Sequence, residues 1–359
     1  MRRLFDGHLD LAWNALSWDR DLTLDLDALN AIDAAMTDHP GRGRATTTLP
    51  EMERGQIAAC QATLLSRARP GARTLSGQSR LSLDFVNQDA ASAIARGQLY
   101  YYELLERRGL LRRITTAAKL DSHWRSWSPG QPLGYILAME GADPIVDIAH
   151  AEAWWSMGLR SVNLVHYGAN RYAVGTGGDG PLTSDGRALL KEFERLGMIL
   201  DATHLSDTSF FQALDAFPGA VLASHNNCRA LVDDGRQYSD DQIKLLIERG
   251  AVIGAAFDAW MLAPGWVRGR TSREVVGIAA AADHIDRVCQ LAGNSHHAAI
   301  GSDLDGGFGT EQTPTGLDRI SDLQKLDAIL TARGYSSAAV DDVFHGNWLR
   351  FFERSLPRS

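Results

Sequence analysis

Eight short runs rich in β-branched and small apolar residues recur along the chain, at 4–10, 58–65, 133–139, 161–166, 198–204, 220–225, 251–257 and 298–303, with longer helical patterns between them. Strands that alternate with helices lie parallel and are joined by right-handed crossovers, so this alternation admits few folds. Helices are expected over 85–108, ended by Gly109, and over 186–196, ended by Gly197. A third, over 239–249, is opened by the capping pattern Ser239-Asp240-Asp241-Gln242 and ended by Gly250. Eight such units in 359 residues predict an α/β protein built as a (β/α)8 TIM barrel, distorted by insertions. A doubly wound open sheet is the second choice, weakened because no G-x-G-x-x-G follows the first strand. The stretches 26–56 and 121–132 read as insertions and 67–84 as a polar loop, so residues 1–359 are expected to form a single domain.

Composition narrows the function classes. The apolar fraction of 45% is ample for a full core, and the net charge of −8 is spread without strong clusters, which argues against nucleic acid as a partner. No apolar run of 18 residues occurs, so no membrane span is expected. Arg2 and Arg3 lead directly into the first strand without an apolar signal region. Cys60, Cys228 and Cys289 are few, odd in number and far apart, which makes no disulfide framework. The expected location is the cytoplasm.

In a barrel of this kind the chemistry gathers at the C-terminal ends of the strands. Read in order, those ends carry His8 and Asp10, then Glu140, His166, His204, His225 and Asp303. His8 and Asp10 are two apart in an apolar strand, so both project from one face, where leaving them unpaired costs several kcal/mol. A divalent cation removes that cost, since imidazole and carboxylate are both ready ligands. A buried His–Asp hydrogen bond is the plain structural alternative. Four histidines and three carboxylates on one rim exceed the three protein ligands of a mononuclear zinc site, which points to two ions. Glu140 could bridge them, because the four lysines, Lys119, Lys191, Lys244 and Lys325, all fall in helical or loop segments and none can serve as a carboxylated bridge.

The segments Asp6-Gly7-His8-Leu9-Asp10-Leu11, Glu140-Gly141, Asn163-Leu164-Val165-His166 and Asp201-Ala202-Thr203-His204-Leu205-Ser206 resemble the membrane-dipeptidase-like metallopeptidases (renal dipeptidase family, M19), a branch of the amidohydrolase-like barrels. Ser224-His225-Asn226-Asn227-Cys228-Arg229, Gly301-Ser302-Asp303-Leu304-Asp305-Gly306 and Gly346-Asn347-Trp348-Leu349-Arg350 extend that resemblance, in the family's order, over nearly the whole chain. The resemblance implies a metal-dependent dipeptidase with two zinc ions, one held by His8, Asp10 and Glu140 and the other by Glu140, His204 and His225. It further implies that His166 polarises the scissile carbonyl, that Arg229 clamps the substrate's free carboxylate, and that Asp303 handles the proton of the attacking water. Substrates are then small dipeptides, with tolerance of a D residue in the second position, and a homodimer is possible. An N-acyl-amino-acid or cyclic-amide hydrolase using the same centre is the alternative.

Each residue also has a plainer reading. Asp303 could cap its own turn, although Asp305 suits that duty better, and Arg229 could form a surface ion pair with Asp233 or Asp234. The glycine-rich stretch 175–180 lacks the Lys-Ser/Thr ending of a phosphate loop and reads as a rim loop. Trp154, Trp155, Trp124 and Trp127 read as packing, and His296-His297 precedes the last strand, at the far end of the barrel.

Overall fold

The structure, a computed structural model, describes residues 1–69 and 83–358. All eight expected strands form: β1 (Leu4–Leu9), β2 (Ile57–Leu65), β3 (Leu133–Glu140), β4 (Leu159–Asn163), β5 (Ile199–Asp201), β6 (Val221–Leu222), β7 (Ile253–Ala255) and β8 (Ala298–Ile300). They pair in parallel and in chain order from β1 to β6, and β7 pairs β8 in the same sense. A single bridge, Ala223 to Ile253, joins β6 to β7. The ring is completed beyond β8, where Asp303 N–H donates to the His8 carbonyl at 3.3 Å and Ser302 N–H to Asp6 Oδ1 at 2.8 Å. The result is a distorted (β/α)8 barrel, continuously paired over β1–β4 with register shifts between β1 and β2 and between β3 and β4, and held by few ladder bonds from β5 onward. That closure excludes the open doubly wound sheet.

Close approach of backbones sets the position of the sparse half. The Ser224 carbonyl, just past β6, faces β1, β7 and β8 so closely that a Cβ on Gly301 would stand 1.7 Å from it and one on Gly254 2.0 Å. A Cβ on Gly7 would meet the Trp348 ring at 2.5 Å. Only glycine fits at these points. Helix Asn347–Ser355 closes the opposite end of the barrel, with Phe5 stacked on Phe352 at 5.4 Å between ring centres. The motif Asn347-Trp348 holds β8 there: Asn347 Nδ2 donates to the Ala298 carbonyl at 2.7 Å and Trp348 Nε1 to that of Ile300 at 2.9 Å.

Strands β5 to β8 end before the apolar runs that mark them do. Their last residues leave the ladder to deliver side chains to the rim, and His204 does so at a φ of 71°. The expected helix over 85–108 starts at Gln88, capped by Asn87, because Asp84–Phe85 pairs in parallel with Arg67–Ala68. Leu111–Arg113, which the sequence does not single out, is a further strand on the same edge of β3 that β4 occupies farther along. The helix at Asp240–Glu248 carries the full capping box between Ser239 and Gln242. The 26–56 insertion folds into helices Leu26–Asp33 and Leu49–Arg54, whereas residues 70–82 of the 67–84 loop lie outside the described residues. Trp154 and Trp127 are core packing, buried as expected. Among the described residues no helix is long and apolar enough to cross a membrane.

Two glycine substitutions test this account in opposite directions. Gly301→Ala forces its new methyl into the Ser224 carbonyl and is expected to lower stability by about 2 kcal/mol or more. Gly97→Ala, at an exposed site of helix Gln88–Arg107 with open space around it, is expected to raise stability by about 0.5–1 kcal/mol. Urea unfolding midpoints of the two variants against the parent check both signs.

Candidate metal centre

Four imidazoles point at one carboxylate oxygen. His8 Nε2 lies 3.6 Å from Glu140 Oε1, His166 Nε2 3.8 Å, His204 Nε2 3.0 Å and His225 Nε2 3.3 Å. Asp10 Oδ1 and Asp303 Oδ1 stand 3.7 and 3.8 Å from His8 Nε2. The strand ends account for this convergence: His8 lies on β1 with Asp10 just beyond it, Glu140 closes β3, and the other histidines each stand three residues past β4, β5 and β6. Seven of the eight side chains singled out in the sequence therefore share one buried cluster. Asp303 sits there in the left-handed region, at a φ of 57°.

The far sides of the rings are anchored by partners that fix their orientation. Ser224 Oγ serves two imidazoles, lying 2.9 Å from His225 Nδ1 and 3.3 Å from His8 Nδ1. Thr176 Oγ1, from the rim loop at 175–180, lies 2.9 Å from His204 Nδ1, and Thr63 Oγ1 donates to Asp10 Oδ1. His166 differs from the rest. Its Nδ1 faces Arg67 Nη1 at 3.1 Å, and a guanidinium can only donate. Burial and the nearby Arg67 hold His166 neutral by pulling its pKa well below the usual histidine range. Its proton therefore sits on Nε2, so His166 presents an N–H to the site where His204 and His225 can present lone pairs.

The electrostatics of the cluster suit a cation. Burial, then Arg236 and the neighbouring imidazoles, lower the pKa of His204 well below its ordinary value, and burial followed by His8 does the same for His225. His8 goes the other way, because Glu140 and Asp10 outweigh the desolvation that alone would lower it. Burial followed by the Asp10 charge raises Glu140, and burial raises Asp303 well above the usual carboxylate range. His8 Nε2 is buried without a hydrogen-bond partner among the described residues. Neutral imidazole nitrogens, crowded carboxylates and an orphaned buried nitrogen are the donor set of a divalent metal site. Three overlapping triplets have ligand-type atoms within 4.8 Å of one another: His8, Glu140 and His225; Glu140, His166 and His204; and His8, Asp10 and Asp303.

The cluster floors a cavity of about 830 Å³. Arg229 is not part of it, which corrects the expectation for that residue. Its guanidinium is turned outward onto both oxygens of Asp207, at 2.7 and 2.8 Å, because the chain at 226–238 doubles back, with Arg229 N–H on the Tyr238 carbonyl. This is the ion-pair alternative, with Asp207 in place of Asp233 or Asp234. The same fold-back carries Arg236 under the rim, where Nη2 donates to the His225 carbonyl at 2.8 Å and Nη1 to Asn226 Oδ1. Arg236 is 4% exposed, lines the cavity, and has no carboxylate within 4.0 Å among the described residues. Nothing in its sequence context, Asp233-Asp234-Gly235-Arg236, separates it from a surface arginine. Asp258 is a second cavity residue that sequence reasoning passes over. Asp305 is structural, as expected, although it binds Thr46 and Thr47 of the 26–56 insertion rather than its own turn. His297 is bonded to the Ala251 carbonyl, away from the cluster.

Comparison with known proteins agrees with this geometry. The profile of the family described as membrane dipeptidase (peptidase family M19) matches residues 2–356. A dipeptidase verJ of Clonostachys rogersoniana is 29% identical over 61% of this chain and 55% of its own length. Dipeptidase 3 of Rattus norvegicus is 26% identical over 70% and 51%. The matches thus span about half the length of these two relatives. Among solved structures, a dipeptidase of family M19 superposes over 99% of both chains with a TM-score of 0.79 at 25% identity. A metallopeptidase of Rhodobacter sphaeroides, liganded with a phosphinate mimic of L-Ala-D-Ala, gives 0.77 at 24% identity over the same shares and supports the fold. A family match over almost the full sequence, on a barrel whose strand ends gather the motif residues, places this chain in the membrane dipeptidase family, peptidase family M19.

Proposed function

We propose that this chain is a metal-dependent dipeptidase that hydrolyses the amide bond of dipeptides bearing a free C-terminal carboxylate, L-Xaa-D-Xaa among them. The observation that carries the reading is the convergence of His8, His204 and His225 on Glu140 at the floor of a cavity large enough for a dipeptide. His8, Asp10 and Glu140 are assigned to one divalent ion, most simply zinc, and Glu140, His204 and His225 to a second. Such ions, when bound, supply Lewis acidity and bring the pKa of water toward neutrality.

The chain's own groups divide the remaining work. His166 Nε2–H donates to the scissile carbonyl oxygen and gains strength as negative charge grows there. Asp303 takes the proton of the attacking water and passes it to the leaving amine. Desolvation raises the pKa of its carboxyl, which makes it a stronger proton acceptor than an exposed aspartate. Arg236 receives the substrate carboxylate, since it is a buried cation aimed into the cavity without an acidic partner of its own. The phosphinate mimic of L-Ala-D-Ala in the R. sphaeroides relative is in keeping with a D residue in the second position.

Elemental analysis of the purified protein is expected to give two metal equivalents per chain. Chelation should abolish dipeptide hydrolysis and added zinc restore it; less than one equivalent together with full activity after chelation overturns the reading. Asp303→Asn is expected to lower kcat by about 10²–10⁴-fold with metal content retained, and unchanged turnover would remove Asp303 from the mechanism. Arg236→Ala should cost on the order of 10²-fold in kcat/KM, expressed mainly in KM. Arg229→Ala should stay within about threefold, since it removes a partly exposed ion pair. Steady-state kinetics on one dipeptide series decide between the two arginines.

A further inference from the structure

The cavity holds a second buried charge that the hydrolytic groups leave unused. Asp258 follows β7 and caps the short helix Ala259–Leu262, with Oδ1 accepting the Trp260 backbone N–H at 3.4 Å. Its Oδ2 accepts the Trp260 indole N–H at 2.7 Å and Gln312 Nε2 at 2.5 Å. The residue is 5% exposed and lines the cavity. Among the described residues no arginine, lysine or histidine nitrogen comes within 4.0 Å of its carboxylate. Arg268, the cation nearby, donates instead to Gln312 Oε1, so the Gln312 amide stands between the two charges.

A buried carboxylate without a counter-cation is costly. Burial pushes the Asp258 carboxyl up to about 7, against the opposing pull of Gln312, Arg268 and Trp260, as expected where no cation compensates the ionised form. The surrounding wall is aromatic: Trp13, Trp260 and Trp266 line the same cavity. A carboxylate in a cavity lined by three indoles is suited to an organic cation, which gains a charge-assisted hydrogen bond from the acid and can take cation–π attraction from the aromatic lining. Arg236 offers the converse, a buried cation with no acid. Outside the metal cluster the cavity thus presents, among the described residues, a buried carboxylate at Asp258 and a buried guanidinium at Arg236, neither with an oppositely charged side chain within 4.0 Å.

We propose that Asp258 is a specificity-determining residue that receives a positively charged group of the substrate, an ammonium or guanidinium, on the indole-walled side of the cavity. The identity of the substrate as a dipeptide rests on the function proposed above. Two sources carry this chemistry, the α-ammonium of the first residue and the side chain of a lysine or arginine.

Asp258→Asn removes the charge at nearly constant size; its single amide oxygen, in the place of Oδ2, accepts from the Trp260 indole and Gln312, while the longer cap to the Trp260 backbone N–H is given up, a cost that falls equally on charged and uncharged substrates. Wild type and variant are compared on matched pairs at pH 8: Lys-Ala with norleucyl-Ala, Ala-Lys with Ala-norleucine, and Ala-Ala with N-acetyl-Ala-Ala. Both kcat/KM of the metal-loaded protein and Kd of the chelated protein are read. For at least one pair, the preference for the charged member is expected to fall about 10- to 100-fold in the variant. A change confined to a lysine–norleucine pair identifies a side chain, and one confined to the acetylated pair identifies the α-ammonium. Equal effects on charged and uncharged members, or no effect, overturn the proposal. If no peptide is cleaved by the wild type while Asp258→Asn still weakens binding of a charged member alone, the dipeptidase reading fails and this site stands. Cleavage without charge discrimination gives the reverse.

Discussion

Glu140 is the residue around which the site is organised. A carboxylate at the end of β3, 2% exposed and faced by four imidazoles, has no reason to be buried unless positive charge joins it. A cation turns the same crowding into coordination. Each imidazole comes from a different strand, so the barrel must close for the cluster to exist, and the parallel order of β1 to β6 sets the sequence in which the rings arrive. Placement of the centre and completion of the fold are therefore one requirement.

Orientation is set by the partners of the ring nitrogens that face away from Glu140. Ser224 and Thr176 hydroxyls can turn to donate or accept, so they steady His8, His204 and His225 without dictating a charge state. Arg67 leaves no such freedom to His166. One arginine thus distinguishes a ring that offers a proton from rings that offer lone pairs, although all four are histidines at equivalent strand ends.

Most of the architecture could be read from the sequence because burial on both faces of a parallel strand leaves continuous apolar runs, and the polar residues that end those runs stand out. His8, Asp10, Glu140, His166, His204, His225 and Asp303 were legible for that reason. Leu111–Arg113 was not, since three residues containing two arginines carry no strand pattern and owe their pairing to the neighbouring edge of β3. Arg236 and Asp258 escaped for a related reason. Their burial is produced by loops folding over the rim, by Arg229 pairing with the Tyr238 carbonyl in one case and by Gln312 reaching across to Asp258 in the other. Contacts of that kind, one within a single loop and one between residues far apart in the sequence, leave no periodicity. The resemblance to the family pointed to Arg229, seven residues before Arg236 in the same segment, and the structure turns that guanidinium onto Asp207.

Ser224 joins the two halves of this description. Its carbonyl is wedged against the glycine backbones of β7 and β8, while its hydroxyl lies between His8 and His225. Any slackening of the strands there shifts both rings in concert, so their spacing is inherited from the scaffold and not negotiated by the loops. The rim segments that shape the cavity, apart from Thr176 behind His204 and Arg67 behind His166, are free of that duty. Such a division lets loops diverge toward new ligands while the cation cradle stays constant, which gives a barrel of this type room to diversify without rebuilding its chemistry.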